Sequence, residues 1–504
     1  MRRILALWAL LTAIAVGLSG CVLGSQEPEA VNEISLPEPT EEPENMILGE
    51  TLSNSLSEVT LYYASQDGAS FSNVTRSILT EAGQSMPEAA VSALLHSGEN
   101  RGIRAMGDTQ ALACEYACGT VTVNLSIDAR NAQSPQELLA LEASISNTLL
   151  GLSGVRGVNV LIGDISESYC QLPLGVQTEQ IASVTAAYAQ LQAERDRASQ
   201  ADSDPIVRRA LLYFPTASGD WLVPELREIS AQSGGFIMAL IDALKAGPKE
   251  EACAIPSIPE GVELLDGEPS VQTLSSGERA LDLNFSSTLV NYLAFSGLDV
   301  WELAGSLSLT MCSFLPELDA VRIMVNGDPI TMCEIDGNLL RFRGGLMHRR
   351  DFSGRIGSTA TLYLVNEHGA LEPVQRAVST RSALSPRSLL TELIRFGSDG
   401  ALRFPAPEGV SPEDILGVQA TGGIARVNLS GNFYRCCQGL SAREERSLVY
   451  SMVNTLCQLV GIRGVRFYVE GRAADTLAGG IYLKSVLMPN PGIVAAQGNE
   501  AQGT

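Results

Sequence analysis

Val123-Asn124-Leu125-Ser126 returns as Leu283-Asn284-Phe285-Ser286 and again as Val427-Asn428-Leu429-Ser430, and this triple occurrence decides how the chain is read. Upstream of each copy stands an aromatic strand: Leu61-Tyr62-Tyr63, Leu212-Tyr213-Phe214 or Leu362-Tyr363-Leu364. Tyr62, Tyr213 and Tyr363 recur 151 and 150 residues apart. Between strand and signature lie apolar segments of helical spacing, Pro87 to Leu95, Phe236 to Ala246 and Pro386 to Phe396. After each signature come a second helical segment and a valine-rich closing strand. The closing strands begin at Val158, Val321 and Val465, which lie 34, 37 and 37 residues beyond the signature asparagines. A fixed order at near-fixed spacing identifies one supersecondary unit used three times.

The local chemistry supports that unit. Alternation in Val121-Thr122-Val123-Asn124-Leu125 puts Val121, Val123 and Leu125 on one face, as a half-buried strand requires. The signature serine is suited to cap the turn or helix after it, and the asparagine to bond locally in a turn. Leu138, Leu139, Leu141, Ile145 and Leu149 make an apolar stripe, so the second helix is expected to lie on a sheet. Each module reads strand-helix-strand-strand-helix-strand, an α+β unit whose sheet carries both helices on one face.

The flanks set the organisation of the 504 residues. Arg2 and Arg3 precede an apolar run from Ile4 to Val16, and Leu18-Ser19-Gly20-Cys21 looks like a bacterial lipobox. The run is shorter than the ~20 residues that span a bilayer. Residues 1–20 are therefore expected to be a lipoprotein signal peptide, with Cys21 as the lipidation site. Residues 21–57 form an acidic Pro/Glu tether, and no Lys or Arg occurs between Arg3 and Arg76. Modules are expected at 58–170, 205–335 and 359–490. Between them come an exposed helical linker at 171–204 and a basic connector at 336–358, with a tail at 491–504. The connector holds Arg341, Arg343, His348, Arg349 and Arg350 in an otherwise acidic chain. It reads either as a solvated hairpin or extended edge, or as a contact site for an acidic partner or an anionic wall polymer.

The second module carries a family likeness. Ala243-Leu244-Lys245-Ala246-Gly247-Pro248 is followed by Ile258-Pro259-Glu260-Gly261-Val262-Glu263-Leu264-Leu265 and closes on Val321-Arg322-Ile323-Met324-Val325-Asn326-Gly327. This resembles the GerM domain of sporulation and germination lipoproteins of spore-forming Gram-positive bacteria. The third module repeats the pattern through Pro407-Glu408-Gly409-Val410 and Val465 to Gly471. The first keeps mainly the signature strand and Gly154-Val155-Arg156-Gly157-Val158. The family usually has Asp where Asn124, Asn284 and Asn428 stand. The resemblance implies small modules similar to the ring-building units of secretion and sporulation channels, and assembly or partner binding rather than chemistry.

Composition narrows the function further. Lys+Arg total 34 against Asp+Glu 57, a net charge of −23, which argues against a nucleic-acid binder. His96, His348 and His368 are the only histidines, with no ligand-like spacing, so no metal site or cofactor is expected. No nucleophile elbow, P-loop or dinucleotide fingerprint occurs, and no catalytic residue is named. Nine cysteines remain beyond Cys21, an odd number, and buried small hydrophobes are the favoured reading of them. The expected protein is an extracytoplasmic, lipid-anchored scaffold or binding component in sporulation, germination or envelope assembly. Its expected partners are membrane lipid through Cys21, proteins of an envelope complex including further copies of itself, and peptidoglycan. The alternative is a wall-polymer-binding protein that positions a cell-wall hydrolase, and a third reading is a hydrolase itself.

Overall fold

The aromatic strand of each repeat turns back on itself. Leu56–Ala64 pairs with Phe71–Leu79, Ile206–Pro215 with Leu222–Ala231, and Gly357–Val365 with Leu371–Ser379, all antiparallel. The computed structural model describes residues 49–52, 56–80, 84–96, 105–198, 204–232, 234–250, 253–265 and 269–495. The expected signal peptide, Cys21 and most of the expected tether lie outside the described residues, as does the end of the tail. A first helix follows each hairpin, at Met86–Leu95, Phe236–Ala246 and Pro386–Phe396. Ser85 and Ser385 cap two of them by accepting the backbone N–H of Glu88 and Ser388.

Three strands then make a sheet. In module one these are Ala111–Ala117, Thr120–Leu125 and Gly157–Ile162. Module two uses Val271–Thr273, Arg279–Phe285 and Ala320–Val325, and module three Ile415–Thr421, Ile424–Leu429 and Gly464–Val469. The first pair in each is antiparallel and the second parallel. Parallel neighbours need a crossover. The second helix supplies it, at Pro135–Leu150, Val300–Phe314 and Ala442–Leu456. The α+β fold class of three tandem modules is thus present, with a returning hairpin strand added to each.

A repeated hydroxyl pair joins helix to hairpin. Thr148, Thr310 and Thr455 accept the backbone N–H of Tyr62, Tyr213 and Tyr363 at 3.0, 3.1 and 3.0 Å. Four residues earlier, Ser306 and Ser451 each donate to the carbonyl of the same tyrosine at 2.5 Å, while Ser144 accepts from the Ala64 N–H at 3.3 Å. These backbone groups face a helix instead of another strand, and buried N–H and C=O groups need partners.

The signature asparagine has a longer reach than a local turn. Its Oδ1 accepts the N–H of Asp164, Gly327 or Gly471, just past the neighbouring closing strand, at 2.9, 2.8 and 2.8 Å. Each of those turns holds two consecutive positive-φ residues: Gly163 and Asp164, Asn326 and Gly327, Glu470 and Gly471. Such turns follow the strand twist, Asn326 and Asp164 tolerate the left-handed backbone they require, and the asparagine bond fixes them. The expected serine cap forms only at Ser430, which accepts from Phe433 N–H. Ser126 instead accepts from Gln110 N–H, and Ser286 meets Thr288.

Two boundaries differ from expectation. The linker helix, Val184–Ala198, is not simply exposed, because Val184 and Leu191 are buried in the core of module one. Gly49–Leu52, inside the expected tether, is a strand lying parallel on the outer edge of Ile415–Thr421. An open sheet edge presents unpaired backbone groups, so a segment far away in sequence completes module three. Among the described residues no helix is long and apolar enough to cross a membrane.

Candidate functional site

The face of each sheet opposite its helices carries the polar half of the strand alternation. In module one, Glu115, Thr122 and Asn159 stand side by side across three strands. Simple alternation would leave that face in water. Instead every residue from Thr120 to Leu125 is buried, because module two covers the row.

Module two presents Arg349, Tyr213 and the end of the Val300–Phe314 helix to that row. Arg349 is 1% exposed. It donates to Glu115 Oε2 at 2.5 Å, to Asp164 Oδ1 at 3.4 Å and to Ser313 Oγ at 3.1 Å. Burial opposes the charge on Arg349, but the Glu115 carboxylate more than offsets this and holds the proton more firmly than usual. Asn159 donates to the Ser313 carbonyl at 3.3 Å, and Glu317 N–H donates to the Ser166 carbonyl at 2.7 Å. The Tyr213 hydroxyl is buried beside Arg349 and Thr122, and burial raises its pKa. A buried guanidinium met by two half-exposed carboxylates and by buried hydroxyls makes a specific joint, and removing the guanidinium there is costly.

Of the five connector residues expected to face a partner, Arg349 is corrected: it lies inside the joint and is closed to outside contact. Sequence alone did not separate it from its neighbours, because the pairing carboxylates are Glu115 and Asp164, far away in the chain. Arg341, Arg343 and Arg350 are exposed. His348 is half-buried, its ring near Glu278 Oε1 at 3.4 Å and Asp351 Oδ2 at 3.5 Å. The Asp351 carboxylate raises its pKa. The connector begins in a hairpin, Met332–Ile335 with Asn338–Arg341, and goes on to the edge strand Leu346–His348 on Ala320–Val325. Cys333, Ile335 and Phe342 are buried in the core of module two, so exposed and buried side chains alternate along the segment.

His96 Nδ1 meets the Ser92 carbonyl at 2.9 Å, and the side chain of His368 is 81% exposed. Among the described residues no group of three or more His, Cys, Asp or Glu side chains is placed to hold a metal. Burial pushes the thiols of Cys114, Cys312 and Cys437 up to about 12, which keeps them protonated and poorly nucleophilic. The polar groups that recur in all three modules, the helical hydroxyls and the signature asparagines, serve backbone atoms.

The family described as "Germane: Sporulation and spore germination" matches residues 60–166, 211–331 and 361–475. No curated protein matches the chain. Among solved structures it is similar to the tandem GerMN domains of the sporulation protein GerM from Bacillus subtilis, at 15% identity and a TM-score of 0.24, covering 56% of this chain and 98% of that one. It is also similar to the first GerMN domain of that protein, at 17% identity and a TM-score of 0.20, covering 26% of this chain and 96% of that one.

Proposed function

The chain belongs to the Germane family of sporulation and spore germination, and from that premise we propose that it is a non-catalytic, lipid-anchored scaffold that holds protein partners of sporulation, germination or envelope assembly outside the cytoplasm. One observation carries the reading. The three modules are joined through a buried guanidinium and backbone bridges, and their repeated polar residues are tied up in backbone hydrogen bonds. A body built this way offers surfaces, not a reaction centre. Cys21, with the apolar run before it, supplies the anchor, and the acidic, Pro-rich stretch after it supplies distance from the membrane.

The alternative, binding of a wall polymer to position a hydrolase, draws on the exposed Arg341, Arg343 and Arg350. A fragment from Pro43 onward separates the two readings, with light scattering across concentration in the presence and absence of envelope extract. A concentration-driven assembly or a defined protein complex fits the scaffold. A strict monomer that captures only wall material contradicts it and supports the alternative. Labelling of the full chain in cells with a fatty-acid probe, lost in Cys21→Ala, tests the anchor.

A further inference from the structure

Three equivalent sheet rows carry three different charge arrangements. The module-one row, Glu115, Thr122 and Asn159, is docked on module two. In module two the corresponding residues Asp282 and Arg322 stand opposite each other on parallel strands and close into an ion pair, with hydrogen bonds of 2.9 and 2.6 Å. That face neutralises itself. In module three the row reads Gln419, Arg426 and Arg466, with the two arginines directly opposite each other on parallel strands.

Among the described residues neither arginine meets a carboxylate. Arg426 Nη1 reaches Gln419 Oε1 at 3.4 Å, and Arg466 sits over the Tyr468 ring at 5.4 Å. Arg466 Nε is buried with no hydrogen-bond partner. Like charges opposed across neighbouring strands destabilise a sheet, and an unpaired buried donor adds to the cost. Module three therefore holds an arrangement that an incoming anion would relieve.

We infer that this helix-free face of module three is a docking surface for an acidic segment of a partner protein, whose carboxylate seats between Arg426 and Arg466. Module one supplies the precedent, since the same row there takes an oppositely charged element of a polypeptide, with Glu115 receiving Arg349. The charges are reversed in module three, so the visiting group is a carboxylate. The flanking Gln419 adds a neutral amide, as Asn159 does where it donates to the Ser313 carbonyl, and an amide of this kind fits a peptide backbone. The inference rests on the scaffold reading and names the chemistry of one partner.

The full chain, titrated with a short fluorescent poly-L-glutamate and separately with polyglycerol phosphate, tests this. Arg466→Leu and Arg426→Gln are each expected to weaken poly-glutamate binding by about tenfold, the scale of one lost charge-assisted contact. Both are expected to raise the melting temperature, by about 2–4 °C, because repulsion and an orphaned donor are removed. A structural role alone would lower it. Unchanged poly-glutamate binding in both variants overturns the proposal. So does equal or tighter binding of polyglycerol phosphate through the same arginines, which makes the ligand a wall polymer. The solution mass of the same variants reports on self-assembly separately, so the scaffold reading and this surface can fail independently.

Discussion

Modules one and two meet through Arg349, a guanidinium closed off from water and held by Glu115, Asp164 and Ser313. Module three is held mainly by backbone and small groups. Leu222 bridges Ile356, Cys118 N–H donates to Ser358 Oγ at 3.0 Å, and Gly49–Leu52 runs along Ile415–Thr421. Near this seam a side chain on Gly154 would collide with Val460, with a Cβ only 2.8 Å from its Cγ2. The first joint depends on the identity of a few side chains. The second depends on main-chain placement and close approach. Side-chain substitutions should therefore break one and largely spare the other, whereas trimming the chain should do the reverse.

The largest effect is expected at the charged joint. Arg349→Ala strips the half-exposed Glu115 and Asp164 of the buried partner they share and should cost about 3 kcal/mol in urea unfolding. Next comes the seam. A fragment beginning at Ser57 loses Gly49–Leu52 and with it the outer ladder of module three, a loss on the order of 2 kcal/mol relative to one beginning at Pro43. Hydrogen exchange should place the new weakness in Ile415–Thr421 and leave Thr120–Leu125 protected.

Inside the modules the comparison should vanish. Thr148→Val, Thr310→Val and Thr455→Val each orphan one strand N–H and should each cost about 1–3 kcal/mol, with similar values in the three positions. A much larger cost at Thr310 alone would show that the joint, not the helix-to-hairpin bond, sets it.

A pH effect marks the border of the joint. Asp351 raises the folded pKa of His348 above its usual 6.5, so His348 adds stability at low pH. That contribution is complete below the unfolded value near 6.5 and is lost as pH rises through the folded value. Unfolding scans above and below this window should show it, and His348→Gln should remove it. Smallest of all, Arg350→Ala and Arg341→Ala should change stability by less than about 0.5 kcal/mol, since both side chains are exposed.

Much of the architecture was legible because the modules repeat. The spacing of Asn124, Asn284 and Asn428 from the closing strands fixed the order of elements, and the leucine stripe of Pro135–Leu150 fixed which side of the sheet its helix covers. The returning hairpin strand was missed because Phe71–Leu79 mixes Ser, Asn, Thr and Arg into its alternation and stays half exposed. The Ser and Thr four residues apart, Ser144 and Thr148, Ser306 and Thr310, Ser451 and Thr455, were a readable signal of the helix-to-hairpin bonds. They looked like ordinary breaks in an apolar stripe. The docking faces were hidden for a deeper reason. A Val-Thr-Val-Asn alternation reads the same whether its polar side meets water or another module, and only the fold brings Glu115 to Arg349. The connector shows the same limit, with Arg349 buried and Arg350 exposed one residue later.

The most direct test of the claim that the helix-free sheet face of module one is a docking surface is a double-mutant cycle between Glu115 and Arg349, read by urea unfolding of the fragment from Pro43 onward. Glu115→Gln, Arg349→Met and the pair should be non-additive, with a coupling of about 2 kcal/mol or more and with the double variant more stable than Arg349→Met alone. Additive costs would mean that the two side chains do not sense each other, and the docked face of module one, with the account built on it, would be contradicted.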